Sequence, residues 1–315
     1  MIACPACDAT VDPPRIGSPD RLHGTQGRFA VARCPRCGLG VTLPPASGEE
    51  LAGFYPAGYG AYEGRPHPLV RAVSAIIQAW QRRSARRRPP LGAVAALPPG
   101  RGLDVGCGRG DVAAGLVGDG WRMTGVEPSA GACAVARRRG VDAREGVLAT
   151  VALEPEAYDA AIFQQSLEHT DDPVGDLRAT HAALRPGGVL AVSVPNAGSW
   201  QARRFAGRWY HLDLPRHRVH FTPPALARAL TEAGFVEVRT STSTSTVGLW
   251  ASVQYRLWGR CLFPEGLALR VAAGLCAPGL PLARLADRLG GGGDLLHATA
   301  TAAPRSPSAG SAREA

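Results

Sequence analysis

No uninterrupted apolar run in this 315-residue chain reaches the roughly 18 residues that a helix needs to cross a bilayer, so no spanning segment is expected. The opening stretch, MIACPACDAT, lacks a charged region followed by apolar residues, so no secretory signal is expected and the protein is assigned to the cytoplasm. Nor is any internal repeat visible. Acidic residues are outnumbered, 26 against 35 basic, for a net charge of +9. Much of that excess sits in two short arginine clusters, Arg82 to Arg88 and Arg137 to Arg139. Solvated helix faces and a linker explain clusters this short better than a nucleic-acid groove does. The eight cysteines are not expected to form disulfides in a compartment that keeps thiols reduced.

Cys4 and Cys7 stand in CPAC, and Cys34 and Cys37 in CPRCG, two C-x-x-C pairs separated by 26 residues. Each spacing lets a tight turn aim both sulfurs at one point, and two such turns complete a tetrahedral thiolate site. The pattern predicts zinc in a ribbon-like module over residues 1–43. Four protein ligands leave no position for water, so this zinc is expected to be structural. Cys107, Cys133, Cys261 and Cys276 have no matching pairs and are expected to be small apolar core residues.

Residues 44–90 form a proline-, glycine- and tyrosine-rich connector followed by a helix expected over 69–85. Tyr55, Tyr59 and Tyr62 are placed either over a neighbouring pocket or against the zinc module. From residue 98 strand and helix patterns alternate: GRGLDVG, RMTGVEPS, DAREGV, YDAAIFQQS and VLAVSVPN read as strands, with helices between them. The helix PVGDLRATHAALRPGG is expected to end at its glycines, and TPPALARALTEAGF is a further helix. VEVRTSTSTS and LLHATATA complete the set. The expected class is α/β, a Rossmann-like seven-stranded, mostly parallel sheet with helices on both faces, plus the small amino-terminal module. Its domain spans 91–246, an apolar insertion 247–289 and a last strand 290–302, with a disordered tail 303–315.

LDVGCGRGD, residues 103–111, admits two readings. Gly108, Gly110 and Ala113 fit G-x-G-x-x-A, which seats a dinucleotide pyrophosphate at a helix amino terminus. Starting from Asp104, the same stretch is an acid followed by alternating Gly106, Gly108 and Gly110. An acid there repels a diphosphate and attracts the ammonium of an amino-acid moiety, which favours S-adenosylmethionine. Glu127, 23 positions later, suits the two ribose hydroxyls of either ligand.

LDVGCGRGD, GVEPS, YDAAIFQQSLEH and ALRPGGVLAVSVPN, in this order, resemble the class I S-adenosylmethionine-dependent methyltransferases. The resemblance implies that Asp104, Gly106, Gly108 and Gly110 line the methionine portion, Glu127 holds the ribose and Pro128 flanks the adenine. Gly146 and Val147 fall where the family often places an acid against the adenine amine, so Glu145 or backbone serves that contact here. Gln164 falls where the chain touches the cofactor.

SLEHTDDP is similar to the quinone-biosynthesis O-methyltransferase branch, whose E-x-x-E-H pattern is implicated in divalent-ion binding; Gln165 stands where the first acid would be. Glu168 and His169 therefore either serve the reaction or cap the next helix. PRHRVHFT resembles a bacterial branch that joins an amino-terminal zinc module to this catalytic domain. His217 and His220, beside His169, are candidates for the base or its orienting partner. Arg203, Arg204 and Arg216 are candidates for gripping an acidic acceptor, and Trp209 and Tyr210 for a flat apolar wall.

The expected reaction is O-methylation of a small molecule, sugar, glycan or lipid-linked acceptor. The insertion 247–289 is a lid, a dimer contact or a peripheral membrane surface, its arginines and prolines arguing against a span. Rivals are an RNA methyltransferase with a zinc RNA-binding module, a nicotinamide oxidoreductase and a noncatalytic module that keeps the cofactor pocket. Nucleic acid is disfavoured because strand four ends in FQQS and no basic groove with interleaved aromatics is evident.

Overall fold

The computed structural model describes residues 2–46, 50, 53–55, 90–260, 280–290 and 292–304. The helix expected at 69–85, Tyr59, Tyr62, the Arg82 to Arg88 cluster, Cys261, Cys276 and the tail from 305 lie outside the described residues.

The amino-terminal strands are β1 (Ile16–Ser18), β2 (Phe29–Arg33) and β3 (Gly40–Leu43). There follow α1 (Leu91–Ala95), β4 (Arg101–Val105), α2 (Ala113–Val117), β5 (Arg122–Glu127), α3 (Ala130–Arg138), β6 (Asp142–Glu145) and β7 (Tyr158–Gln164). Then come α4 (Pro173–Ala183), β8 (Leu184–Pro195), α5 (Trp200–Phe205), β9 (Val219–His220), α6 (Pro223–Glu232) and β10 (Phe235–Ser243). Helices α7 (Thr246–Trp258) and α8 (Leu280–Leu289) precede the last strand, β11 (Leu295–Ala302).

Seven strands form one sheet in the order β10-β11-β8-β7-β4-β5-β6. Pairs from β8 to β6 are parallel, whereas β11 runs antiparallel to both β8 and β10. Alternating apolar runs and amphipathic helices give this arrangement because each βαβ crossover covers one sheet face. Helix starts are fixed locally: Ser129, Asp172, Ser199 and Thr222 each accept a backbone N–H of the first turn.

One boundary differs from expectation. Helix α4 stops at Ala183, and the RPGG stretch is already extended as the start of β8. Pro186 cannot donate a helical hydrogen bond, and Gly187 adopts φ +79°. Leu184 instead pairs with Tyr158, and the register shifts before Ala160 meets Val189.

The second sheet, β1-β2-β3-β9, joins the amino-terminal module to the main domain, since β9 comes from the segment after β8. Gly40 faces His220 in an antiparallel pair. A side chain at Gly40 would come within 2.9 Å of both the His220 and Val31 side chains, so only glycine admits the approach. One buried cluster runs from Cys4, Cys34 and Leu39 through Val219 and Phe221 to Leu226 and on into the main core.

Candidate functional site

The carboxyl ends of β4 and β5 carry two buried acids. Asp104 is 2% exposed and Glu127 4%. Burial pushes the Asp104 carboxyl up to about 7; the Ala113 backbone N–H partly opposes this, and the nearby Glu127 charge adds to it. Glu127 accepts the backbone N–H groups of Gly108 and Ser129, both at 3.0 Å. The glycines between them have separate reasons. Gly106 (φ +70°) would drive a Cβ to 2.4 Å from the Ser166 Cβ. Gly108 (φ +52°) faces open space, leaving bare backbone beside the acids, whereas Gly110 (φ +73°) lets Ala136 pack closely.

Gln164, at the end of β7, has a buried Oε1 with no hydrogen-bond partner among the described residues. Gly146 (φ +135°) donates its N–H to the Glu127 carbonyl at 3.0 Å. Pro128 and Val147 are exposed, and Glu145, also exposed, lies opposite Glu127 in the β5–β6 register. The buried Asp104 carboxyl beside bare backbone suits a cationic ligand and, once ionised, repels a diphosphate.

A second constellation lies after β7. Glu168, on a short 3₁₀ turn, is 1% exposed, and neither carboxylate oxygen has a hydrogen-bond partner among the described residues. Burial pushes its carboxyl up to about 8, its own backbone N–H opposing and Asp213 reinforcing the rise. His217 Nε2 lies 4.0 Å from Glu168 Oε1 and 3.8 Å from Asp213 Oδ2. His217 donates its Nδ1–H to the His211 carbonyl at 2.9 Å, and His169 donates its own to the Arg216 carbonyl at 3.1 Å. Tyr55 Oη adds a 3.0 Å contact to the same His169 nitrogen. Each ring therefore keeps an Nε2 lone pair.

Burial pulls both histidines below the usual imidazole range, so both are neutral at pH 7. The two rings meet edge to face at 4.7 Å. One ligand atom from each of Glu168, His169 and His217 falls within a 4.8 Å group, a set able to hold a divalent ion. The third ligand comes from His217, while Gln165 bonds Ser193 Oγ at 3.2 Å.

His220 stands apart from this trio, its ring 6.4 Å from that of His217. Thr42 of β3 donates its hydroxyl to the His217 carbonyl at 2.5 Å and lies 2.9 Å from His220 Nε2. Arg216 does not face an acceptor. Its guanidinium is fully buried, bonded to both Asp20 oxygens at 2.7 and 2.9 Å, to Asp213 and to the Phe54 carbonyl. Burial would raise Asp20, but the Arg216 bonds outweigh it and hold that carboxyl far below the usual range. Nothing in the sequence pairs residues 20 and 216, and this lock, with Thr42 and Asp213, is what sequence reasoning missed. Arg203 caps the Gly198 and Gly290 carbonyls, and Arg204 is exposed over the Phe205 ring. Trp209 is buried, and Tyr210 packs near Tyr255.

The four amino-terminal thiols converge. Cys4 and Cys37 sulfurs are 3.5 Å apart, as are those of Cys7 and Cys34, and all four lie within 4.8 Å of one another. Zinc–sulfur bonds of about 2.3 Å in a tetrahedron place sulfurs about 3.8 Å apart, so the set fits that ion. Cys107 and Cys133 are buried in the core.

Residues 77–240 match the family model described as "Methyltransferase domain". The chain is 35% identical over 105 residues to the ubiquinone biosynthesis O-methyltransferase of Marinobacter nauticus, covering 30% of this chain and 44% of that protein. The chain thus spans less than half the length of that relative. It is 30% identical over 197 residues to the corresponding Methylobacterium protein, covering 57% of this chain and 78% of the relative. Among solved structures it resembles phosphoethanolamine N-methyltransferase 2 of Haemonchus contortus, at a TM-score of 0.50 and 17% identity over 71% of this chain and 52% of the other.

Proposed function

The chain belongs to the methyltransferase-domain family, and from that premise we propose that it transfers a methyl group from S-adenosylmethionine to a hydroxyl of a small-molecule, glycan or lipid-linked acceptor. S-adenosylmethionine supplies an electrophilic methyl on a cationic sulfur. The observation that carries the reading is the buried Asp104 and Glu127 pair flanking bare glycine backbone. Asp104 would hold the ammonium, Glu127 the ribose hydroxyls, and Gln164 Oε1, unpartnered among the described residues, a further hydrogen-bond donor of the ligand. Asp104 disfavours the nicotinamide reading, because its carboxylate would face a diphosphate.

An acceptor hydroxyl must lose its proton as the methyl arrives, and alignment supplies much of the remaining rate. His217 is the group assigned to that proton: its Nδ1–H is held by the His211 carbonyl, leaving Nε2 free beside Glu168 and Asp213. His169, buttressed by Tyr55, orients the His217 ring edge to face. Structural zinc on Cys4, Cys7, Cys34 and Cys37 would order the module that buttresses this segment.

Calorimetry decides the cofactor: S-adenosylmethionine is expected to bind and NAD not, and the converse overturns the reading. Incubating cell extract with the enzyme and label-bearing S-adenosylmethionine identifies the acceptor by the molecule that gains label.

We also assign the protein to the cytoplasm with peripheral membrane contact through α7 and α8. Leu257, Trp258, Leu282, Leu285 and Leu289 are 50–82% exposed, with Arg256, Arg284 and Arg288 on the same two helices. Flotation with anionic liposomes is expected for the native protein and lost when Leu282, Leu285 and Leu289 become serine. Equal flotation of both removes the assignment.

A further inference from the structure

A cavity of about 250 Å³ lies between the amino-terminal sheet and the segment that follows β8. Ile16, Val31 and Gly40 form one wall, and Ala202, Trp209 and Leu212 the other. Cavities of about 150 Å³ accept a benzene molecule, so this one has room for a ring with substituents. Ala197, two residues past the end of β8, also lines it, so the cavity sits at the carboxyl end of a sheet strand, the side on which ligands of such folds bind.

Its polar lining is uneven. Arg15, Arg33 and Arg203 border it against a single acid, Asp12. Asp12 is 3.8 Å from Arg15, and Arg203 is spent on two carbonyls while keeping its charge. The Arg33 side chain is exposed and has no hydrogen-bond or ion-pair partner among the described residues. The excess of positive charge calls for an anion.

His220 also lines the cavity. The Thr42 hydroxyl spends its only hydrogen on the His217 carbonyl, so toward His220 it can only accept. The His220 proton is therefore on Nε2, and Nδ1 keeps a lone pair with no partner among the described residues. A ligand hydroxyl or N–H could donate to it.

We propose that this cavity binds the methyl acceptor's acidic part: a single ring or alkyl body of that size, an oxyanion facing Arg15 and Arg33, and a hydroxyl donating to His220 Nδ1. Thr42 is the positioning residue that sets the His220 tautomer. The zinc module thus supplies half of the substrate site as well as support for it. The proposal rests on the methyl-transfer reading above for the word acceptor; the binding chemistry stands on the cavity alone.

The test uses the whole 315-residue chain, purified with zinc supplied and without chelator. Binding of 3-(4-hydroxyphenyl)propionate is followed by calorimetry, alongside 3-phenylpropionate, which lacks the hydroxyl, and 4-propylphenol, which lacks the acid. The hydroxy acid is expected to bind at least about threefold more tightly than either comparator. Replacing both exposed arginines, Arg15→Gln with Arg33→Gln, is expected to weaken both acids by about fivefold and leave 4-propylphenol unchanged. Thr42→Val is expected to erase the preference for the hydroxyl while keeping that for the acid.

Equal binding of the three probes, no saturable binding of any, or an arginine double variant that binds the acids as the native protein does overturns the assignment. S-adenosylhomocysteine is titrated separately. If it binds and the hydroxy acid does not, the cavity assignment fails alone; if the hydroxy acid binds and it does not, methyl transfer fails and the anion site stands.

Discussion

Replacing Asp104 with asparagine is expected to make the ligand-free protein increasingly more stable than the native one as pH rises, while cofactor binding weakens. The folded-state carboxyl titrates at about 7 against 3.8 for the free side chain. A raised value means the folded state holds its proton after the unfolded chain has released one, so native stability falls with rising pH from about 4 until the folded group ionises near 7. Each unit is worth about 1.4 kcal/mol, so the native protein loses about 2.5 kcal/mol relative to Asp104→Asn between pH 5 and pH 8. Any constant cost of the buried amide cancels from that difference.

Urea unfolding of both proteins across this range, without chelator, measures it. The second half of the experiment adds S-adenosylhomocysteine, whose ammonium the native carboxylate would hold; the variant is expected to lose about 10- to 100-fold in affinity. Native affinity is expected to fall below pH 7, where binding must displace the Asp104 proton. A stability difference that stays flat with pH, or ligand affinity unchanged in the variant, would refute the assignment of Asp104 as a buried carboxylate awaiting a cation.

His217→Ala is expected to lower turnover by about 10²- to 10⁴-fold while calorimetry finds cofactor affinity unchanged; full activity dismisses it as the proton acceptor. Arg216→Met is expected to cost about 3–5 kcal/mol in chemical denaturation, because the buried Asp20 and the partly buried Asp213 lose their counter-charge. Cys4→Ser is expected to reduce bound zinc, measured by native mass spectrometry. It should also raise hydrogen exchange at 215–222, because β9 pairs with β3 and Thr42 holds the His217 carbonyl. Unchanged exchange there would mean that the module folds without the metal. Gly106→Ala is expected to destabilise the protein by about 2 kcal/mol or more in thermal unfolding, since its Cβ would meet Ser166 at a positive φ.

The alternating apolar patterns that announce the seven strands are local, so the sheet could be anticipated from them; its last strand, Leu295–Ala302, coincides with LLHATATA. The boundary at α4 and β8 could not, because RPGG reads as a helix end until Tyr158 is seen pairing with Leu184. Asp104, Gly106, Gly108 and Glu127 were legible as a group because they lie on consecutive strand ends. Arg216 read as a free cation, since nothing local to PRHRVHFT says that Asp20 lies against it.

By itself the sequence determined the cysteine spacing that aims four thiols at one point and the order of acids and glycines around the cofactor cleft. Both depend on turns and strand ends that short-range backbone geometry sets. Tertiary structure decided which charges are consumed and which remain available: Arg216 is locked to Asp20 and Asp213, Arg33 is left at a cavity rim, and Thr42 fixes the His220 proton. Those outcomes follow from the pairing of Gly40 with His220 across 180 positions of chain. Charge partners and tautomers are set by distance in space, which spacing along the chain does not encode.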